Sequence, residues 1–171
     1  MPFVTRIAPD KETALQEEEA DHSDIRIYSD GSGIKNQISA AAVLYRGNRM
    51  KGTLKYKLGS VRHHTVYKGE LVGMGLGVEL LRKERNVGLA TLYIDNQAGI
   101  QSTNLHRAAP EHFLVDHFHS QMEWIFRHTP NLHFAMQWIP GHKGIQGNEV
   151  ADGAAKEAAQ TSSSHDMVLP A

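Results

Sequence analysis

Apolar positions along this chain switch between a period of two and a period near 3.6, and the switches mark its elements. Ile25-Arg-Ile-Tyr-Ser alternates as a strand and stops at Asp30-Gly-Ser-Gly, which reads as a turn. Residues 38–46 form a second predicted strand, and Gly47-Asn48 a hairpin turn into a third at 50–59. These three make an antiparallel meander. Thr65 is placed to cap the helix that follows, where Tyr67, Leu71, Met74, Val78 and Leu81 form one apolar stripe. Gly69, Gly73, Gly75 and Gly77 lie inside that helix and cost it roughly 3–4 kcal/mol relative to alanine. Three of them are four residues apart, a smooth ridge that predicts unusually close packing on the sheet.

Residues 90–95 read as a fourth strand, reached by a helical crossover and therefore parallel to the first. A short helix is expected over 97–105. Pro110 opens a longer one, with Leu114, Phe118, Met122 and Ile125 facing inward. Leu132, Phe134, Met136 and Trp138 alternate as a fifth strand, residues 140–147 form a loop, and 148–159 a last, small-residue helix. The fold class is α/β: a mixed five-stranded sheet, with strands one to three antiparallel and four and five parallel, flanked by helices. Residues 1–24 read as an acidic mobile leader or linker, 25–160 as one domain, and the Ser-rich 161–171 as a disordered tail.

Composition narrows the class. A chain of 171 residues supports one domain with a real core. With no cysteine, it can build neither a disulfide framework nor a thiolate zinc site. No apolar run reaches membrane-spanning length and no signal peptide is evident, so the expected setting is intracellular, in nucleus or cytoplasm. The net charge of −1 conceals an uneven distribution: residues 1–24 hold seven of the 19 acids and two of the 18 Lys and Arg residues. From Arg46 to Lys68 there are seven basic residues (Arg46, Arg49, Lys51, Lys55, Lys57, Arg62, Lys68) and no acid. That stripe suits a phosphate backbone, and equally a solvated sheet face.

Four acids stand at the ends of predicted elements: Asp30, Glu70, Asp95 and Asp152. In the first strand Arg26, Tyr28 and Asp30 share a face, and in the fourth Thr91, Tyr93 and Asp95 do. If these strands are parallel neighbours, the two aspartates lie side by side at the carboxyl ends, where open α/β sheets place ligands. Glu70, early in its helix, and Asp152, early in the last, enter from either side. Clustered carboxylates repel one another and become tolerable around a hard divalent cation such as Mg²⁺. Any one of these acids alone has an ordinary explanation as a turn or a solvated side chain; the force lies in the four together.

Asp-Gly-Ser after the first strand, Glu-Leu in the first helix, Asp-Asn-Gln after the fourth strand and Gly-His-x-Gly-x-x-Gly-Asn-Glu-x-x-Asp before the last helix resemble, in order, the motifs of the type 1 ribonuclease H family. The wording of 138–152 is closest to ribonuclease H domains of retroelement reverse-transcriptase polyproteins. The resemblance spans 25–160 and implies a ribonuclease H-like fold. It implies that Asp30, Glu70, Asp95 and Asp152 bind two Mg²⁺ ions about 4 Å apart, with Mn²⁺ as a substitute. It implies cleavage of the RNA strand of an RNA–DNA hybrid to 5′-phosphate and 3′-hydroxyl ends, with His142 assisting release. Gly31 and Ser32, through their backbone amides, and Glu70, Asn96 and Gln97 stand where the family contacts the minor groove. Asn36 and Thr65 stand where it holds a DNA phosphate, and Lys68 joins this nucleic-acid-binding set. The implied partners are the hybrid and a covalently linked reverse-transcriptase domain, with no membrane partner and a monomeric isolated domain.

The chain also departs from the family. Val66 and Tyr67 occupy positions where relatives often carry amides, and 127–131 lacks a long basic insertion. Other readings are a hybrid-binding module that does not cut, a cellular ribonuclease H, and an integrase, transposase or 3′-exonuclease of related fold. The position of Asp152 and Glu70 argues against the integrase. Ser32, where an exonuclease carries a glutamate, argues against that enzyme. His112, Asp116 and His119 on one helix invite a zinc site, but no further ligand is evident and a polar helix surface is the better reading.

Overall fold

The computed structural model describes residues 3–62, 64–103 and 112–160. Its elements are β1 (Phe3–Arg6), α1 (Lys11–Glu19), β2 (Ile25–Ile34), β3 (Gln37–Arg46), β4 (Arg49–Ser60), α2 (Val66–Arg82), β5 (Leu89–Ile94), α3 (Gln97–Ser102), α4 (His112–His128), β6 (His133–Trp138) and α5 (Gln146–Gln160). The strands form one mixed sheet in the order β1-β6-β5-β2-β3-β4. β2, β3 and β4 pair antiparallel, while β1, β6, β5 and β2 run parallel. The expected meander and the parallel pair are both present. The tail after residue 160 and the Pro110 helix start lie outside the described residues, as does the end of the helix expected over 97–105.

The alternation in the strands separates two cores. Ile25, Ile27, Leu92 and Ile94 face α2 and α4 in the larger one. Tyr28, Val43 and Tyr93 face the other way, toward Ile139, Ile145 and Ala151 of the last loop and α5. The glycine ridge of α2 meets the sheet as expected. A Cβ at Gly73 would lie 2.9 Å from the Asp30 carbonyl oxygen, and one at Gly77 3.0 Å from Ile27. Close backbone approach therefore offsets the helix cost of these residues.

Three expectations need correction. Asp30-Gly-Ser-Gly is not a turn: β2 continues through it to Ile34, with Asp30 opposite Ala41 and Gly31 opposite Ala40. The reversal falls at Lys35-Asn36, both with φ near +60°, the backbone of a two-residue hairpin. The sheet has six strands rather than five, because Phe3–Arg6 pairs parallel with β6. Nor are residues 3–24 an unattached leader. Phe3 packs edge-on against Phe118 and Phe134, and Ala14 of α1 is wholly buried.

The acids of this segment meet a sheet face rich in polar groups. The Tyr28 hydroxyl donates to Glu18 Oε1 at 2.6 Å, the Tyr93 hydroxyl to Asp21, and Gln137 Nε2 to Glu17 Oε2 at 3.4 Å. Buried phenols and amides require such acceptors. Among the described residues no helix is long and apolar enough to cross a membrane.

Candidate active site

The β2/β5 register sets Tyr28 beside Tyr93 and Ser29 beside Ile94, so the next residues, Asp30 and Asp95, emerge together at the carboxyl end of the sheet. Two anchors hold the backbone around Asp95: Trp138 Nε1 donates to its carbonyl at 3.3 Å, and the Ile139 amide donates to Ile94 O at 3.0 Å. Glu70 comes from the second turn of α2. That turn is fixed by its N-cap, where Thr65 Oγ1 accepts from the Lys68 amide at 3.0 Å, and by the bare flank of Gly31, where a Cβ would lie 2.6 Å from the Glu70 nitrogen. Asp152 comes from α5, seated on the sheet by Ala151 and Ala155 and by the Ser39 hydroxyl donating to the Ala155 carbonyl.

The carboxylates converge. Oxygens of Asp30, Glu70 and Asp95 lie within 4.8 Å of one another. Asp30 is 4% and Glu70 5% exposed. Burial, reinforced by Asp95 and Asp152, raises the Asp30 carboxyl to about 8, although the Gly31 amide donates to its Oδ1 at 3.0 Å. Burial, with Asp30 and Asp95 adding to it, raises Glu70 to about 9. Asp95 is raised by burial and by Asp152, while the positive charge available on His142 opposes the shift. Glu70 Oε2 is buried, with no hydrogen-bond partner among the described residues. Three crowded carboxylates, one with an unsatisfied buried oxygen, fit a hard divalent cation and suit little else.

A second group adjoins the first. Donor atoms of His142, Glu149 and Asp152 also lie within 4.8 Å of one another. Lys156 Nζ pairs with Asp152 Oδ2 at 2.8 Å. The sequence reading gave Glu149 and Lys156 no role. Their signal was helical spacing, three residues before and four after Asp152, which places all three on one face.

The expected substrate residues fall in two places. Gly31 and Ser32 adjoin Asp30, and Asn96 and Gln97 follow Asp95. Asn96 Oδ1 caps α3 by accepting from the Ala98 amide at 2.8 Å, and Gln97 is exposed. Ser32 is buried at 6% exposure. Asn36 is exposed in the β2/β3 hairpin, its carbonyl bound by the Val61 amide. Thr65 is exposed at the start of α2, and Lys68 Nζ lies 3.1 Å from His64 Nδ1 and over the Phe113 ring. His142 is exposed in a left-handed backbone conformation, φ +57°, between Gly141 and Lys143. The zinc reading finds no support: His112 and Asp116 pair at 3.3 Å, His119 Nε2 lies 3.1 Å from the Thr103 carbonyl, and among the described residues no third ligand joins them.

Solved ribonucleases H share this fold. The N-terminal RNase H domain of Rv2228c from Mycobacterium tuberculosis is 16% identical, with TM-score 0.60 over 81% of this chain and 97% of that one. RNase H1 from the halophilic archaeon Halobacterium salinarum NRC-1 is 16% identical, with TM-score 0.59 over 80% and 97%. LC11-RNase H1, isolated from compost by a metagenomic approach and solved in complex with an RNA/DNA hybrid, is 17% identical, with TM-score 0.55 over 78% and 98%. No curated protein matches the chain significantly. The family model for RNase H matches residues 22–160, a span that takes in β2 through α5 and all four acids. On that match the chain belongs to the RNase H family and is a ribonuclease H enzyme.

Proposed function

We propose that this ribonuclease H hydrolyses the RNA strand of RNA–DNA hybrids, with Asp30, Glu70, Asp95 and Asp152 holding divalent ions, Mg²⁺ by preference. The observation that supports it is the convergence of buried Asp30 and Glu70 with half-buried Asp95, with a Glu70 oxygen that has no hydrogen-bond partner among the described residues. Bound divalent ions supply a more acidic water and charge neutralisation at the scissile phosphate. The protein contributes placement. Water adds to phosphorus, the bond to the 3′ oxygen breaks, and that oxygen takes up a proton, leaving 5′-phosphate and 3′-hydroxyl ends. His142, exposed beside Asp95 and Asp152, is positioned to carry a proton or ease product departure. Gly31, Asn96 and Gln97 flank the acids where they can reach a hybrid's minor groove, and a relative of the same fold was solved with such a hybrid bound.

The wording of 138–152 and the short link between α4 and β6 favour a domain that works beside a reverse transcriptase, which would supply part of the substrate grip. Rate comparison of this chain alone and joined to such a polymerase tests that part. The activity itself is tested by incubating a labelled hybrid, duplex DNA and single-stranded RNA with Mg²⁺, with Asp95→Asn as control. Cleavage confined to the hybrid's RNA and lost in the variant is the expected result. Binding of the hybrid without cutting would make the chain a non-catalytic module.

A further inference from the structure

Two strands deliver Asp30 and Asp95, and each carries a tyrosine two residues upstream on the same face. Tyr28 and Tyr93 stack with ring centroids 4.9 Å apart and planes 14° from parallel. Both are almost fully buried. Gly147 of α5 lies flat on the Tyr28 ring, because a Cβ there would come within 2.2 Å of the ring carbon Cδ1. Gly147 is five residues before Asp152. Tyr28 and Tyr93 therefore form one platform touching β2, β5 and α5, the three elements that present Asp30, Asp95 and Asp152.

A buried phenol fixes a platform only if its hydroxyl is held. Both hydroxyls are held by residues from outside the four acid-bearing motifs of the active site. Tyr28 donates to Glu18 Oε1 at 2.6 Å, and Arg26 approaches the same oxygen at 3.4 Å. Tyr93 donates to Asp21 Oδ2. Asp21 is fixed in turn, since its Oδ1 accepts from the Ser23 amide at 2.9 Å and from the Ser23 hydroxyl at 2.6 Å. Ser23 Oγ lies 2.7 Å from Thr91 Oγ1, which returns the chain of contacts to β5. Leu15 of α1 packs against the same cluster.

We infer that Glu18 and Asp21 are positioning residues for the catalytic carboxylates, acting through the Tyr28–Tyr93 platform. Helix α1 and the turn after it, which carry Glu18 and Asp21, thus support the active site. This inference rests on the proposed metal-holding role of the acids. Its physical basis is that a group displaced by about 1 Å in an active site can cost on the order of a hundredfold in rate. Partners one layer behind a metal ligand typically change affinity by roughly 10–100-fold.

The test uses the full chain, with Mn²⁺ binding followed by calorimetry and hybrid cleavage followed separately. Glu18→Ala and the double variant Tyr28→Phe/Tyr93→Phe are expected to weaken Mn²⁺ binding about tenfold and to lower kcat with KM for the hybrid little changed. Glu18→Gln, whose amide oxygen can still accept the phenol proton, should restore most of both. The phenylalanine variant keeps the ring stack and so guards against loss of the fold in Glu18→Ala. Variants that melt earlier yet bind Mn²⁺ and turn over like wild type would overturn the inference, leaving a structural strap. A wild-type chain that binds Mn²⁺ but does not cut hybrids would overturn the proposed function alone. Absence of Mn²⁺ binding in wild type would overturn both.

Discussion

Gly31→Ala is the sharpest test of how the site is assembled. A Cβ at Gly31 would meet the Glu70 amide nitrogen at 2.6 Å and the Gly69 carbonyl carbon at 2.7 Å. Both are backbone atoms of α2, so no side chain can swing aside. Relief to ordinary contact at 3.4 Å requires β2 and the start of α2 to part by about 0.8 Å. Asp30 is on one side of that gap and Glu70 on the other. A shift of this size predicts a kcat loss of roughly 10–100-fold and destabilisation of about 1–3 kcal/mol. Gly75→Ala is the matched control. Among the described residues its Cβ would meet only Gln121 Oε1, at 3.5 Å, and the helix gains about 0.5–1 kcal/mol. Hybrid cleavage at saturating Mg²⁺ and thermal unfolding measure both variants. Wild-type kcat and stability in Gly31→Ala would refute the reasoning that a bare backbone contact sets the Asp30–Glu70 spacing.

Further expectations concern charge, the loop and the edge strand. Asp30 and Glu70 have folded values raised to about 8 and 9, so the stability they give the metal-free protein is full below the ordinary carboxylate range and is lost as pH rises toward 8–9. Thermal melts with chelator from pH 5 to 9 should therefore show falling stability, with a slope of about 1.4 kcal/mol per pH unit for each group that ionises only on unfolding. Saturating Mg²⁺ should flatten it, and a flat metal-free profile would refute the repulsion. Asp95→Asn removes one of the repelling charges and should stabilise the metal-free protein while abolishing cleavage, as melts and the hybrid assay together would show. His142→Ala should slow turnover without ending it; an unchanged steady-state rate would remove His142 from the mechanism. Phe3→Ala, at the edge of a cluster with Phe118 and Phe134, should cost about 2 kcal/mol in chemical denaturation.

The local sequence determined the elements whose periodicity is repeated and flanked by caps: the β2–β4 meander, α2 with its glycine ridge, and the alternation in β5 and β6. It also marked the four acids as a set, since Asp30 and Asp95 each follow a tyrosine by two residues on one face. Tertiary structure decided what local pattern misstates. Asp30-Gly-Ser-Gly has the composition of a turn, yet pairing with β3 keeps it extended, since hydrogen bonds across the sheet outweigh a local turn preference and Gly31 makes room for α2. Residues 3–24 have the composition of a solvated leader, yet Glu17, Glu18 and Asp21 find buried amide and phenol donors on the sheet. Those partners lie 10 to 120 residues away along the chain, beyond what any local period can reveal. Glu149 and Lys156 acquired meaning only when α5 was laid beside the acids, because proximity across elements, not spacing within one, sets electrostatic coupling.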